Sequence, residues 1–326
     1  MALSTVGSVG ADFLDFSAWE TDKDGGTPGS EEVKMITDFS DSVNMQFWTS
    51  GSWTIRMHGD TQGPNRRLLT NDLVGGPAIK IDDTDFKNLT FEDFDIDGVD
   101  KSEDGININI KGTGIDNFRR MAIFNCDDGF SMTTASDDFD GRFENMLIHN
   151  CAGTGFFCNE NASSGKVATH NFKNCGAFKN GVRGFFIRDT SLSEGFWFNC
   201  VAIDNTTEDW NTTLGNVVSA EVHECVSGDT SILDADYDVQ DNIATGKSTT
   251  TDPVFVDFAN DNFLKNESDL ASWGISGDSA NTPTLDLNGV TRTSNTIGPY
   301  DFAQSMLPLF IKNKQGGKMA LTGGKQ

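Results

Sequence analysis

Basic residues are scarce in this 326-residue sequence: 24 Lys and Arg stand against 49 Asp and Glu, a formal net charge of −25. Such a surface repels nucleic acid and anionic membranes, so neither is an expected partner, and it favours solubility. No apolar run with a basic flank opens the chain, so no secretory leader is expected. No stretch approaches the ~20 apolar residues that a membrane span needs. The short Cys-x-x-Cys hooks of zinc sites are missing. So are a phosphate loop, a dinucleotide fingerprint and a nucleophile elbow in a convincing context.

What is present is a period. Cys126, Cys151, Cys175, Cys200 and Cys225 lie 25, 24, 25 and 25 residues apart. Asn125, Asn150, Asn174, Asn199 and Glu224 precede them, and Ile123, Ile148, Phe172, Trp197 and Val222 stand three positions before. Internal repeats of this length signal stacked units. The units are rich in Phe, Ile, Val, Thr, Asn, Asp and Gly, which suit strands and turns rather than helices. The stretch from Gly105 to Ile110 alternates apolar and polar residues, which is strand periodicity. About 25 residues at ~3.3 Å each trace one turn of a coil with three short strands, and coils stack ~4.8 Å apart.

The expectation is therefore an all-β parallel β-helix, with N- and C-terminal caps and an extended tail. The five cysteines should form one interior column as apolar fillers, with Cys158 as an extra. Their odd number argues for free thiols made in a reducing compartment. The asparagines should sit at a bend and ladder between coils. Glu224 should end that regular turn. The position two before each cysteine (Phe124, His149, Lys173, Phe198, His223) should face outward. A second repeated element, Gly followed by an apolar residue, recurs at Gly105-Ile106, Gly129-Phe130, Gly155-Phe156 and Gly184-Phe185. Its offset from the preceding cysteine grows from three residues to nine. Expected divisions are an N-terminal cap at 1–51, the solenoid at 52–251, a capping segment at 252–302 and a basic docking tail at 303–326. Leu14, Phe16 and Trp19 should close the first end, with Ser17 as helix cap. Trp48, Trp53 and Met57 fall in the first irregular coil. The tail holds four lysines and no acids, after an apolar run at 306–311.

From about residue 52 to 300 the chain resembles the right-handed parallel β-helix family of pectate-lyase-like proteins. Asp252-Pro-Val-Phe-Val-Asp257, Asn262-Phe-Leu264, Gly274, Asp286-Leu-Asn-Gly289, Arg292 and Ile297-Gly-Pro-Tyr300 look like the closing segment of many β-helix repeat proteins. The opening, Asp12 to Glu20, resembles β-helix proteins of phages and environmental sequences.

Two constellations are candidates for chemistry. Asp93, Asp95 and Asp97, followed by Gly98 and Asp104 at the twelfth position, have the spacing of a calcium loop. The departures are Asp100 where an apolar residue is usual and Asp104 in place of Glu. The competing reading is a strand with Phe94 and Ile96 inward and the aspartates on its solvated face. Asp127 and Asp128, in Asn125-Cys-Asp-Asp-Gly-Phe130, resemble the paired-aspartate segment of polygalacturonase-type glycoside hydrolases. Paired carboxylates supply the acid and base of glycoside hydrolysis. One coil later that family carries a histidine between glycines, whereas this chain reads Gly153-Thr-Gly155, and the preceding coil lacks Asn-Thr-Asp. Asn180-Gly-Val-Arg183 resembles a third segment of the same family. Lys173 and Arg188 are the basic residues a polysaccharide lyase would use.

These features point first to a non-enzymatic structural protein of a phage particle, a capsid decoration, spike or fibre-type subunit. It would be assembled in the host cytoplasm, without a cofactor other than calcium. Its partners would be other virion proteins and further copies of itself, as a trimer. The alternative is a polysaccharide-degrading enzyme, a lyase or glycoside hydrolase of the tailspike depolymerase type, or a carbohydrate-binding adhesin.

Overall fold

The computed structural model describes residues 2–7, 10–24, 26–46, 51–60, 66–71, 75–100, 102–133, 139–160, 167–189, 192–213, 217–229, 239–241, 243–247, 255–265, 280–292 and 297–300. Trp48, Gly274, residues 252–254 and the tail at 303–326 lie outside them.

Each coil gives one strand to each of three parallel sheets, called A, B and C in chain order. One coil runs Phe139–Glu144, Leu147–His149 and Phe156–Glu160; the next runs Val167–Lys173, Gly176–Phe178 and Arg183–Asp189. Among the described residues sheet A has ten strands, sheet B eight and sheet C seven. Every pairing between these sheets' neighbours is parallel, as in Phe143 with Phe172 and Phe156 with Phe185. The chain is a right-handed parallel β-helix of about seven turns. Sheet A already includes two strands before residue 52, Ala2–Val6 and Ser30–Met35, and the first strand triplet opens with the latter.

Alternation of side chains puts every second residue inside. In sheet A, Phe118, Phe143, Phe172 and Trp197 stack with ring centroids 5.0, 4.6 and 5.6 Å apart. In sheet C, Phe156, Phe185 and Trp210 stack at 4.8 and 4.4 Å. The two columns meet edge to face, as where Phe156 abuts Phe172 at 5.3 Å, a geometry the ring quadrupole favours.

The single cysteine column does not exist. Cys126 and Cys151 follow sheet B strands and lie at the bend from B to C. Cys175, Cys200 and Cys225 follow sheet A strands and lie at the bend from A to B. The cause is one long coil. Cys151 is level with Asn180, 29 residues on, whereas neighbouring coils such as that from Asn174 to Asn199 repeat at 25. The extra length would break the period. The Asn-Cys pair, however, moves to the preceding bend, so the linear spacing stays at 24. Both bends tolerate the swap because both hold a left-handed residue, which asparagine supplies readily, with a cysteine buried after it. Asn145 and Asn174 at the first bend have φ of 53° and 53°, and Asn125 and Asn150 at the second have 54° and 56°. Asparagine is among the few non-glycine residues that enter this region readily. Glu224 adopts φ 48°, so it keeps the regular turn rather than ending it. The Gly-apolar element is the true single column: Ile106, Phe130, Phe156 and Phe185 pair in succession in sheet C. All six cysteines are free and buried.

At the N-terminal end the helix Phe16–Asp24 buries Phe16 and Trp19 in the solenoid core. Its cap is Asp15, whose Oδ1 accepts from the Ala18 amide at 2.7 Å, with Asp41 accepting from Phe16 and Ser17. Ser17 is inside the helix rather than at its cap, and Leu14 is 73% exposed. Trp53 and Met57 belong to the strand Trp53–Gly59 in the second coil, whose pairing with Phe86–Glu92 shifts register between Trp53 and Thr54.

The described residues of the segment expected to close the far end pack along the side. Phe258, Phe263, Leu287, Ile297 and Tyr300 cover the outer face of sheet B, over Ala122, Leu147, Phe178 and Val201. The bend asparagines hold it: Asn145 Nδ2 donates to Leu285 O at 2.7 Å and Asn174 Nδ2 to Gly298 O at 3.2 Å. Sheet B carries apolar residues outward here, and the segment keeps them from water.

Candidate functional site

The bend from sheet B to sheet C gathers carboxylates. Cross-coil bonds fix the order along it. Gly105 N donates to Asp128 O at 2.9 Å, Gly129 N to Thr154 O at 3.0 Å, and Gly155 N to Arg183 O at 2.8 Å. Asp104, Asp128, Thr154 and Arg183 thus occupy equivalent places in four successive coils. Asp104 Oδ1 accepts from the Asp128 amide at 3.2 Å, and its Oδ2 from Asn107 Nδ2 at 2.7 Å.

In a strand, adjacent Asp127 and Asp128 would diverge. On this bend both carboxylates point to the space that a β-carbon on Gly153 would fill. A β-carbon at 153 would collide with Asp128 Oδ1, so glycine leaves room for that carboxylate. Asp128 Oδ1 accepts from the Thr154 amide at 2.5 Å. Burial is the main force on Asp128, and the charges of Asp104 and Asp127 add to it against that hydrogen bond. Its pKa is pushed up to about 7. Burial, then Asp104, also raises Asp127. Like charges in a partly desolvated site favour the neutral acid.

The calcium-loop aspartates are dispersed among other partners. Asp93 sits at the A–B bend with φ 63° and pairs with Arg120 at 2.6 Å. Asp95 pairs with Arg66 at 2.8 Å and accepts from the Ala122 amide at 2.9 Å. Asp97 accepts from Asn125 Nδ2 and the Val99 amide, both at 3.0 Å. Asp104 lies with Asp128 instead. Phe94 and Ile96 point inward, as the strand reading requires. Among the described residues no group of three or more His, Cys, Asp or Glu side chains is placed to hold a metal ion.

Lys173 and the strand of Arg188 lie in different sheets, A and C. The Arg183 guanidinium pairs with Glu208 at 2.9 Å and lies 4.5 Å from the Phe186 ring centre. His149 is on sheet B, stacked on Phe124 at 5.2 Å and met by Phe263 at 5.0 Å. His223 is on sheet A, stacked on Phe198 at 5.0 Å. The outward column read from the sequence therefore divides between two faces, as the cysteines do.

Asp209 is a buried acid that sequence reasoning missed. Burial raises its pKa, hydrogen bonds from Asn205 oppose this, and Asp229 adds to it; the result is about 6. Its carboxylate accepts from the Asn205 side chain at 2.8 Å and the Gly228 amide at 2.6 Å. Its place directly after Glu208 gave no signal, because burial of one of two adjacent acids depends on the coil above.

No family model matches the chain, and no curated protein does. Among solved structures it is similar to the crystal structure of pectate lyase Pel9A. The two are 12% identical, with 93% of this chain and 97% of that one covered, at a TM-score of 0.42.

Proposed function

We propose that the chain is a non-enzymatic structural β-solenoid, a decoration, spike or fibre-type subunit of a tailed-phage particle that associates as a trimer. The observation that carries this reading is how the outward side chains are used. They tie coil to coil: Arg56 links Glu32 and Glu92 at 2.5 and 2.6 Å, and Arg120 links Glu92 and Asp93 at 3.0 and 2.6 Å. Outward rings lie against one another, as Phe157 does on Phe186 at 5.4 Å with the planes tilted by 32°, and Arg183 lies beside the latter. Rings that contact one another, and a guanidinium, have less face left for a sugar ring. The acidic body and the basic sequence at 303–326 suit assembly with neighbours. Mass spectrometry of purified virions should find the chain in stoichiometric amount, and light scattering should find a trimer. Its absence from particles would overturn the reading.

A second reading rests on the acids around Gly153. Asp128, half protonated near neutral pH, has the character of a general acid, with Asp127 or Asp104 as the charged partner. Thr154 stands where the polygalacturonase-type pattern has histidine. A reducing-end assay on pectin, alginate and capsular polysaccharide decides: turnover that Asp128→Asn abolishes would establish this reading against the structural one.

A further inference from the structure

Five of the buried thiols fall into two short columns. Strand register aligns Cys126 with Cys151 at the bend from B to C, where Phe124 faces His149 two residues earlier. At the bend from A to B it aligns Cys175, Cys200 and Cys225, two residues after Lys173, Phe198 and His223. The sulfurs are in contact. The Cys126 thiol lies against that of Cys151, and the Cys200 thiol against those of both Cys175 and Cys225. Cys225 Sγ also accepts from the Cys200 amide at 3.4 Å. Coils stack ~4.8 Å apart, inside the roughly 4.4–6.8 Å that a disulfide requires between α-carbons.

Each column has definite ends. Asn180 stands over Cys151, where its Oδ1 accepts from the Cys151 amide at 3.1 Å, and Met146 stands under Cys175. Cys158 is elsewhere, in sheet C between Met132 and Ile187, with no cysteine opposite it in either neighbouring coil. Cys151 and Cys175 are close in sequence spacing but lie on different bends. A sheet B strand of three residues, Gly176–Phe178, separates those bends, ~10 Å at ~3.3 Å per residue.

We propose that each column is a site for one disulfide between consecutive coils: Cys126 with Cys151, and Cys200 with either Cys175 or Cys225. The third thiol of the longer column and Cys158 stay free. The oxidant is a small disulfide of the glutathione class. One cysteine thiolate attacks it, forming a mixed disulfide and releasing one small thiol; the neighbouring cysteine then attacks that mixed disulfide and releases the second. The two cysteines lose two electrons and two protons, and the oxidant leaves as two thiols. In the closed coils the five sulfurs are at most 1% exposed. Contact with Cys151, then burial, raises the Cys126 thiol, and burial, then its two neighbours, raises Cys200. Both are protonated and inert there, so exchange begins when a coil opens and ends as it recloses. Each bridge ties positions 25 residues apart and so restricts the unfolded chain. The inference holds for either reading of function. For a virion subunit it means assembly as free thiols in the cytoplasm and stapling after release, because disulfides persist outside reducing compartments.

The test holds the full chain with oxidised glutathione at a urea concentration just below its unfolding midpoint, where coils open and reclose. Remaining thiols are then alkylated, and the unreduced digest is analysed by mass spectrometry. The expected chain is four hydrogens lighter before alkylation. It carries the link Cys126–Cys151, one of Cys175–Cys200 and Cys200–Cys225, and an alkylated Cys158. A Cys151–Cys175 link, a link to Cys158, glutathione retained in place of a link, or no link at all overturns the proposal. Stability gives a second readout. At fixed urea the unfolding constant of the oxidised chain should be at least tenfold lower than that of the reduced chain, and dithiothreitol should restore it. An unchanged constant overturns the stapling as well.

Discussion

Arg66 Nη1 donates to the carbonyl oxygen of Leu287 at 2.6 Å, joining the second coil to a segment 221 residues later in the chain. The same guanidinium pairs with Asp95 at 2.8 Å, and Arg66 is buried. Removing one member of a buried pair leaves the other charged and unpaired, which costs about 3 kcal/mol or more. Arg66→Met should therefore lower unfolding free energy by that amount in a denaturant titration. Amide exchange should rise selectively at 285–292, while the interior strands keep their protection. Adding Asp95→Leu should recover much of the loss. A single variant as stable as the parent would mean that the lateral segment is held by its apolar contacts alone.

Asn174 serves the bend in two ways that substitution can separate. It holds φ 53°, and its amide joins Gly298 O at 3.2 Å and Asn199 Nδ2 at 3.3 Å. Left-handed backbone costs a residue such as alanine roughly 1–2 kcal/mol, and each lost hydrogen bond about 1 kcal/mol. Asn174→Gly should lose only the hydrogen bonds, and Asn174→Ala both contributions. Urea midpoints should fall in the order parent, glycine, alanine. Equal midpoints for the two variants would show that φ carries no weight here.

Phe143 lies between Phe118 and Phe172, at 5.0 and 4.6 Å, and meets Phe130 and Phe156 edge-on. Coils above and below hold this position open, so the cavity left by Phe143→Ala cannot collapse easily. A loss of about 3–5 kcal/mol is expected, with Phe143→Leu costing clearly less. A loss under ~1 kcal/mol for alanine would imply that neighbouring coils slide to fill the gap.

The coil itself was legible because repetition records it: a spacing near 25 residues, strand-forming residues and a bend asparagine. The single cysteine column was misread because a count along the chain cannot tell one bend from another when asparagine followed by a buried cysteine occurs at both. One clue lay in the Gly-apolar element. Its offset from cysteine jumps from four residues after Cys151 to nine after Cys175, which is the shift between bends. The lateral packing of the described residues in 255–265, 280–292 and 297–300 left no such trace. It depends on outward apolar residues of sheet B, such as Leu147, Phe178 and Val201, which look like core when the facing is unknown. The calcium-like spacing of Asp93, Asp95 and Asp97 was equally ambiguous. Arg120 and Arg66, which take up two of those carboxylates, come from neighbouring coils.

Asp128 and Asp209 give the fold an unusual response to pH. Burial raises both, to about 7 and about 6, from an ordinary value near 4. Between about pH 4 and 7 the folded chain therefore holds more protons than the unfolded one. Stability from these groups is complete at the acid side of that window and declines as pH rises through it, levelling off above about 7. Carboxylates that are lowered act in the opposite sense but below this range. In Asp60 the Arg67 hydrogen bond dominates, and in Glu92 burial is outweighed by Arg56 and Arg120. Urea midpoints should thus fall from pH 5 to pH 7.5. Asp128→Asn keeps a side-chain oxygen for the Thr154 amide, so it should flatten the upper part of the decline and match or exceed the parent at pH 8. Adding Asp209→Asn should flatten the part below pH 6. A parent midpoint that climbs from pH 5 to 7.5, or an unchanged slope in Asp128→Asn, would show that the carboxylates around Gly153 ionise freely, and the acid proposed for the second reading would go with them.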